Sequence, residues 1–405
     1  MSLLSLDEAR AFVLASCPTL PVTMVSLTHA LGYVLAEPVV STEQVPPFPN
    51  TAMDGYAVRA ADTVGAPTVL RVVGTLAAGA APDTEVGAGQ AVRIMTGAPM
   101  PPGADAIVMV ERTSTTDDGA AVSIEVAASV GDHVRSAGED IAVGQEVFAA
   151  GTVLRPGHLG VLASIGLVTA AAYRRPRVGV ISTGDELVDN GAPLRPGQIR
   201  DSNRHTLVGL LSESGFDPVD FGTVADDETA MTEAFRSAAS ACDAVLTSGG
   251  VSMGDFDYVK VVLDRLGGGT FRWMQIAIRP AKPFAFGTID GTPVFGLPGN
   301  PVSSMVSYEL LARPALRQMM GHPNLHRPLV TAVATEDMVR KPDGKTHYNR
   351  VSARWEEGRL RVRSSGGQAS NLLRSMALAN ALAVLEDGPG VRAGDDVAVL
   401  LLTDP

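Results

Sequence analysis

Between residues 176 and 322 short apolar runs alternate with helix-like stretches, and the runs end in turns of Gly, Asp, Ser and Asn. Strands are predicted over 177–182, 219–224 and 244–247, with a further strand-like run at Pro293-Val-Phe-Gly-Leu297. Helices are predicted over 202–212, with Gly215 as C-cap, then over 228–239, 257–266 and 301–319. This alternation implies parallel strands with helices on both faces, a doubly wound sheet. Such sheets bind ligands beyond the carboxyl ends of their strands. Four turns fall there: Thr183-Gly-Asp-Glu186, Asp226-Asp227, Ser248-Gly-Gly-Val-Ser252 and Gly299-Asn-Pro301.

A chain of 405 residues is too long for one ordinary core. A helical and linker domain is expected over 1–45 and 141–175. The capping box Ser5-Leu-Asp-Glu8 opens one helix, 26–36 reads as a second, and a third is read over 155–165. Short β-type runs separated by Gly, Pro and Asp make 46–140 an inserted small β domain. The α/β domain occupies 176–322. A C-terminal β-barrel-like domain follows over 323–405, with a hairpin whose strands are 348–355 and 360–363. The fold class is therefore multidomain, α/β plus β.

The net charge of −12 disfavours nucleic acid and anionic membranes as partners. No apolar run reaches the roughly 18 residues of a membrane helix. The N-terminus lacks a signal-peptide pattern, and Cys17 and Cys242 form no ligand spacing. A cytoplasmic protein is expected. An anionic substrate would gain nothing from the overall field, so local donors must bind it.

The turns supply such donors. Backbone N–H groups at Gly249, Gly250 and the helix beginning near Pro301 suit phosphate. Ser248 and Ser252 add hydroxyls, and Arg279 and Lys282 lie in an acid-free stretch, 272–282. Glu186, Asp227 and Asp257 could hold Mg²⁺ through oxygen. Each residue also has a plain structural role: Asp226 or Asp227 as a helix N-cap, Gly249-Gly250 as a tight turn, Glu186 and Asp257 as solvated charges. As a set they suit chemistry at a phosphoanhydride. No Walker-type G-x-x-x-x-G-K-[ST] motif is present, and no Ser–His–Asp set suggests itself. Asp54-Gly55 and the loop containing Thr96 read as loops of the small β domain.

Together these segments resemble the molybdopterin molybdenumtransferase family, which includes the E domain of gephyrin. The resemblance rests on Pro47-Phe-Pro-Asn-Thr-Ala-Met-Asp-Gly-Tyr-Ala-Val-Arg59, Thr96-Gly-Ala-Pro99, Ser182-Thr-Gly-Asp-Glu-Leu187 and Ser248-Gly-Gly-Val-Ser252. It continues through Leu297-Pro-Gly-Asn-Pro-Val-Ser303 and Gly367-Gln-x-Ser370, and so covers nearly the whole chain. It implies a central domain like molybdopterin adenylyltransferase, an elongated homodimer, and a Mg²⁺-dependent reaction. In that reaction adenylylated molybdopterin and molybdate yield AMP and a molybdenum-loaded pterin. The resemblance also implies a cleft between the α/β domain of one subunit and the inserted domain of the other. It places Asp54, Thr96, Glu186 and Asp257 in catalytic segments, with Asp227 beside the metal. It assigns Lys282, Pro298, Gly299, Asn300, Pro301, Arg350 and Ser370 to substrate binding. Many members carry Lys where this chain has Arg279. An adenylyltransferase and a gephyrin-like scaffold are the competing readings, and a separate adenylyltransferase is a candidate partner.

Overall fold

The computed structural model describes residues 3–189, 191–250 and 258–403. The chain forms two compact units, one of Met1–Thr23, Gly32–Ala36 and Ala171–Pro405, the other of Met24–Leu31 and Glu37–Ala170. Near the N-terminus, α1 (Leu6–Ala15) starts at Ser5, whose hydroxyl accepts the Glu8 N–H while Glu8 returns a bond to the Ser5 N–H. The helix expected over 26–36 does not form. Val22–Ser26 is strand β1, only Leu27–His29 turns as a short 3-10 segment, and Gly32 has φ +78°. The β-branched residues Val22, Thr23 and Val25 favour the extended chain, and the left-handed Gly32 stops any helix that follows.

In the unit of Glu37–Ala170 a mixed sheet runs β5-β2-β4-β3-β7-β6. Its strands are β2 (Gly55–Val58), β3 (Thr68–Leu76), β4 (Gln90–Ile94), β5 (Ala106–Met109), β6 (Thr113–Thr116) and β7 (Ala121–Ile124). Gly55 is required by packing, because a Cβ there would lie 2.1 Å from the Val108 carbonyl oxygen. The helix expected over 155–165 forms as α2 (Pro156–Ser164), with Pro at its first position.

The other unit contains the α/β sheet. Its elements are β8 (Arg177–Thr183), α3 (Asn203–Glu213), β9 (Asp217–Val224), α4 (Glu228–Ala241), β10 (Ala244–Ser248), α5 (Tyr258–Leu266), β11 (Arg272–Gln275), β12 (Pro283–Ile289), β13 (Thr292–Leu297) and α6 (Pro301–Ser307). The strand order is β9-β8-β10-β13-β12-β11. β9, β8, β10 and β13 are parallel, but β12 and β11 are antiparallel. The departure from an all-parallel sheet has a simple cause. Only short turns separate β11, β12 and β13, and a parallel return needs a crossover of a dozen residues or more.

Met231, Phe235, Ala238 and Ala239 on α4 recur at helical spacing, as do Val259, Val262 and Leu263 on α5. They share one core with Ile181, Val245 and Val294. Phe295 and Phe286 meet edge-on at 5.1 Å, and Phe12 of α1 meets Phe286 at 5.9 Å.

Past α6 the helix passes through a π-helical turn, Tyr308–Ala312, into Arg313–Met319. The chain then forms β14 (Leu329–Ala334), β15 (Thr346–Glu356), β16 (Arg359–Ser364), β17 (Ala381–Leu385) and β18 (Asp396–Leu401). These close into a five-stranded barrel, order β15-β16-β14-β18-β17, because β15 pairs with both β16 and β17. The expected hairpin is the β15–β16 pair. No helix among the described residues is long and apolar enough to cross a membrane.

Candidate active site

The carboxyl ends of β8, β10 and β13 surround a cleft of about 200 Å³, lined among others by Glu186, Asn203, Ser248, Gly249, Gly299 and Pro301. Gly184 has φ +147°, and a Cβ there would come within 2.4 Å of Glu186 Oε2. Glycine at 184 thus makes room for the Glu186 carboxylate, which is exposed at the cleft. Gly249 has φ +101°, and a Cβ would lie 2.9 Å from the Thr183 carbonyl oxygen. Its N–H is already donated to the Leu297 carbonyl at 3.2 Å. Gly249 therefore serves by lacking a side chain, not by the N–H expected to meet phosphate. Gly250 has φ +66°, with Val259 Cγ2 only 2.2 Å from where its Cβ would be.

The start of α6 is likewise less free than its sequence suggests. Pro301 has no N–H, and the Val302 N–H is donated to the Ser370 carbonyl at 3.1 Å. The phosphate-binding role expected of this helix start loses those two donors.

On the other side of the Gly299-Asn300-Pro301 turn lies a second cleft, of about 440 Å³. Arg279, Lys282, Asn300, Ser303 and Ser370 line it together with Asp343, Lys345 and Gln368. Ala281 takes φ +72° between the two cations. Ile278–Arg279 pairs with Thr346–His347 of the barrel strand β15, which brings the 343–345 turn to the same cleft. Asp343 is the one carboxylate lining this cleft beside three cations. Burial works against its charge, but hydrogen bonds from Lys345 (3.0 Å) and His347 (3.2 Å), and their charge, hold its pKa at about 2. The lining is cationic and rich in hydroxyl and amide groups, which suits an oxyanion.

Arg350 does not line this cleft. It is 1% exposed in β15, and burial pulls its pKa down to about 10. Its Nη2 donates to the carbonyls of Gly367 (3.0 Å) and Ala369 (3.1 Å), and Gln368 brackets its backbone. Arg350 thus fixes the loop that presents Gln368 and Ser370. Pro298 is buried beneath the turn between the two clefts.

Asp227 caps α4, its Oδ1 accepting the Ala230 N–H at 2.8 Å. Asp226 and Asp185 exchange backbone-to-carboxylate bonds at 3.0 and 3.4 Å. Asp257 and Ser252 lie outside the described residues. Among the described residues no three His, Cys, Asp or Glu side chains gather as a metal site. Mg²⁺ needs only one or two protein carboxylates because it keeps several waters, and Glu186 fits that requirement.

In the unit of Glu37–Ala170 the two segments read as loops come together. Asp54 Oδ1 accepts from the Thr96 N–H at 2.7 Å and from the Thr96 hydroxyl at 2.6 Å. The Thr96 hydroxyl, then its N–H, hold the Asp54 pKa below the usual carboxylate range. Asp54 is thus an exposed, firmly ionised and oriented carboxylate.

The structure adds Asn203, Ser303, Lys345 and Gln368 to the residues singled out from sequence. Ser303 and Gln368 stand inside motifs already quoted, so those motifs could have yielded them. Lys345, in Lys341-Pro-Asp-Gly-Lys345, reads as an ordinary solvated turn until the fold brings it beside Arg279 and Lys282.

Comparison with known proteins now bears on this arrangement. Residues 4–166 match the model for the MoeA N-terminal region (domain I and II). Residues 179–318 match a probable molybdopterin binding domain, and 331–402 the MoeA C-terminal region (domain IV). A Haemophilus influenzae protein named molybdopterin molybdenumtransferase is 39% identical over 404 residues, covering 98% of each chain. A Mycobacterium tuberculosis protein named molybdopterin molybdenumtransferase 2 is 41% identical over 395 residues, covering 95% of each. The crystal structure of a molybdopterin biosynthesis MoeA protein from Pyrococcus horikoshii superposes with a TM-score of 0.81 at 30% identity, over 100% of both chains.

Proposed function

The chain belongs to the molybdopterin molybdenumtransferase family, and from that premise we propose that it inserts molybdenum from molybdate into adenylylated molybdopterin, with release of AMP. The observation that carries this reading is the pair of clefts sharing the Gly299-Asn300-Pro301 wall. One offers a carboxylate and hydroxyls at strand ends. The other offers Arg279, Lys282 and Lys345 to an oxyanion. Two anionic reactants held on either side of one turn are close enough to react without either leaving its site.

The smaller cleft suits the phosphoanhydride of the adenylate. Ser248 donates to it there, and Glu186 would hold Mg²⁺, with Asp257 as a further ligand expected from the family motif. Bound Mg²⁺ would offset the charge of the phosphates. The larger cleft suits molybdate: Arg279 and Lys282 neutralise it, while Ser370 and Gln368, on the loop that Arg350 fixes, orient it. Asp54 and Thr96 are proposed as catalytic residues through the family motifs that contain them. A homodimer is proposed on the same ground, with docking of a separate adenylyltransferase as a further possibility to test.

The test is anaerobic incubation of the purified protein with adenylylated molybdopterin, with and without molybdate, reading AMP. Release that depends on molybdate is expected. Consumption of ATP with molybdopterin would instead make the protein an adenylyltransferase, and absence of nucleotide binding would make it a scaffold.

A further inference from the structure

Asn203 is the first residue of α3, and its position there is fixed from below. Asp201, 4% exposed, accepts from the Ser182 hydroxyl and the Arg204 N–H, both at 3.1 Å. The buried Arg204 guanidinium in turn meets the carboxylates of Asp201, Asp220 and Asp189. This network ties the start of α3 to the ends of β8 and β9.

From this anchored start the Asn203 side chain reaches across the smaller cleft. Its Nδ2 lies 2.7 Å from Ser248 Oγ and 2.7 Å from the Gly299 carbonyl oxygen. A carbonyl can only accept, so the amide must turn its NH₂ group toward Gly299. The two N–H bonds then meet the two acceptors, one each. Ser248 Oγ is the acceptor in its pair, and its own proton is left over. Ser248 is 3% exposed, and among the described residues no other side chain or carbonyl takes that proton. A buried hydroxyl proton without a partner is unfavourable until an acceptor arrives.

We propose that Asn203 is a positioning residue for this site: it pins the Ser248 hydroxyl as an acceptor so that the Ser248 proton points to an anionic oxygen of the substrate. The same amide holds the Gly299 carbonyl away from that anion. The substrate oxygen is a phosphate oxygen of the adenylate, and here the inference rests on the function proposed above. The arrangement also makes the site selective, because a ligand group that can only donate would find no acceptor at Ser248.

The experiment measures the dissociation constant of adenylylated molybdopterin without molybdate, so that no turnover intervenes. The wild type is compared with Asn203→Ala, Ser248→Ala, the double variant and the isosteric Asn203→Asp. A hydrogen bond to a charged group justifies an expected loss of roughly tenfold or more for Ser248→Ala. Asn203→Ala should lose a similar factor, and the double variant should bind within about twofold of the weaker single variant, because residues acting as one unit are not additive. Asn203→Asp keeps the shape but accepts the Ser248 proton, so it should bind at least as weakly as Asn203→Ala. Losses that multiply in the double variant, or an Asn203→Asp variant that binds like the wild type, overturn the proposal while leaving the functional reading intact. A wild-type protein that binds no adenylate overturns both.

Discussion

Asp54 shows how much one neighbour can settle at the scale of a residue. Its carboxylate is exposed, yet two short bonds from Thr96 keep it ionised and aimed. Thr96→Val removes the hydroxyl bond and leaves the backbone one. The Asp54 pKa should then rise toward the ordinary carboxylate value, read by side-chain carboxyl NMR titration. An unmoved titration would mean that Thr96 does not control the charge. Lys345 poses the complementary question. It lines the oxyanion cleft with Arg279 and Lys282 but is shared with Asp343 at 3.0 Å. Lys282→Ala should therefore weaken molybdate binding more than Lys345→Ala, and both losses should shrink as salt rises, since exposed charges are screened within about 10 Å at 0.1 M. Equal affinities at low salt in wild type and Lys282→Ala would remove the cation from the site. Composition and motif could point to Arg279 and Lys282 because they stand beside glycine turns. They could not point to Asn203 or Lys345, whose roles depend on which strand ends the fold sets side by side.

At the scale of elements, a single position can hold two roles that sequence alone does not separate. Asp227 was open to reading as metal ligand or helix cap, and the structure shows the cap. Serine caps almost as well but offers no carboxylate. Asp227→Ser should keep the melting temperature and the activity, while Asp227→Ala should cost about 1 kcal/mol of stability with turnover intact. A folded Asp227→Ser variant that has lost turnover would restore the metal role. The stretch after α6 makes a second prediction. His322 Nδ1 accepts the Asn324 N–H at 3.0 Å, and burial, then the Arg317 charge, push its pKa down to about 4. The unfolded chain takes up a proton near pH 6.5, where the folded protein does not. Stability should thus fall as pH drops from about 6.5 to about 4, and His322→Gln should flatten that slope in thermal melts. Strand and helix alternation was legible over 176–322 because each apolar run was short and closed by a turn. The false helix over 26–36 arose because the capping-type Ser26 outweighed the β-branched run before it and the left-handed Gly32 after it. The antiparallel edge was hidden because periodicity reports a strand but not its direction.

At the scale of the whole molecule, the barrel of β14 to β18 could be read as all-β, but its closure depends on β15 pairing with two strands at once. That is a long-range fact with no local signature. The same holds for assembly. Asp54 and Thr96 belong to one compact unit of the chain and Glu186 to the other, and the family resemblance implies a dimer whose active site takes one from each subunit. A symmetric dimer would then have two such shared sites. Mixing makes this testable. Asp54→Ala and Glu186→Ala are each expected to be inactive alone. In a dimer of one copy of each, one site would carry both lesions and the other neither. Activity should return to about half of the wild-type rate per mixed dimer, by the symmetry of the arrangement. Sites built within single chains would each keep one lesion, and no mixture would recover. The measurement is AMP release after subunit exchange, with exchange itself followed by native mass spectrometry of differently tagged copies. A mixture proven to exchange that stays inactive would place Asp54 and Glu186 in the same subunit's site, and a chain that remains monomeric throughout would remove the shared site altogether.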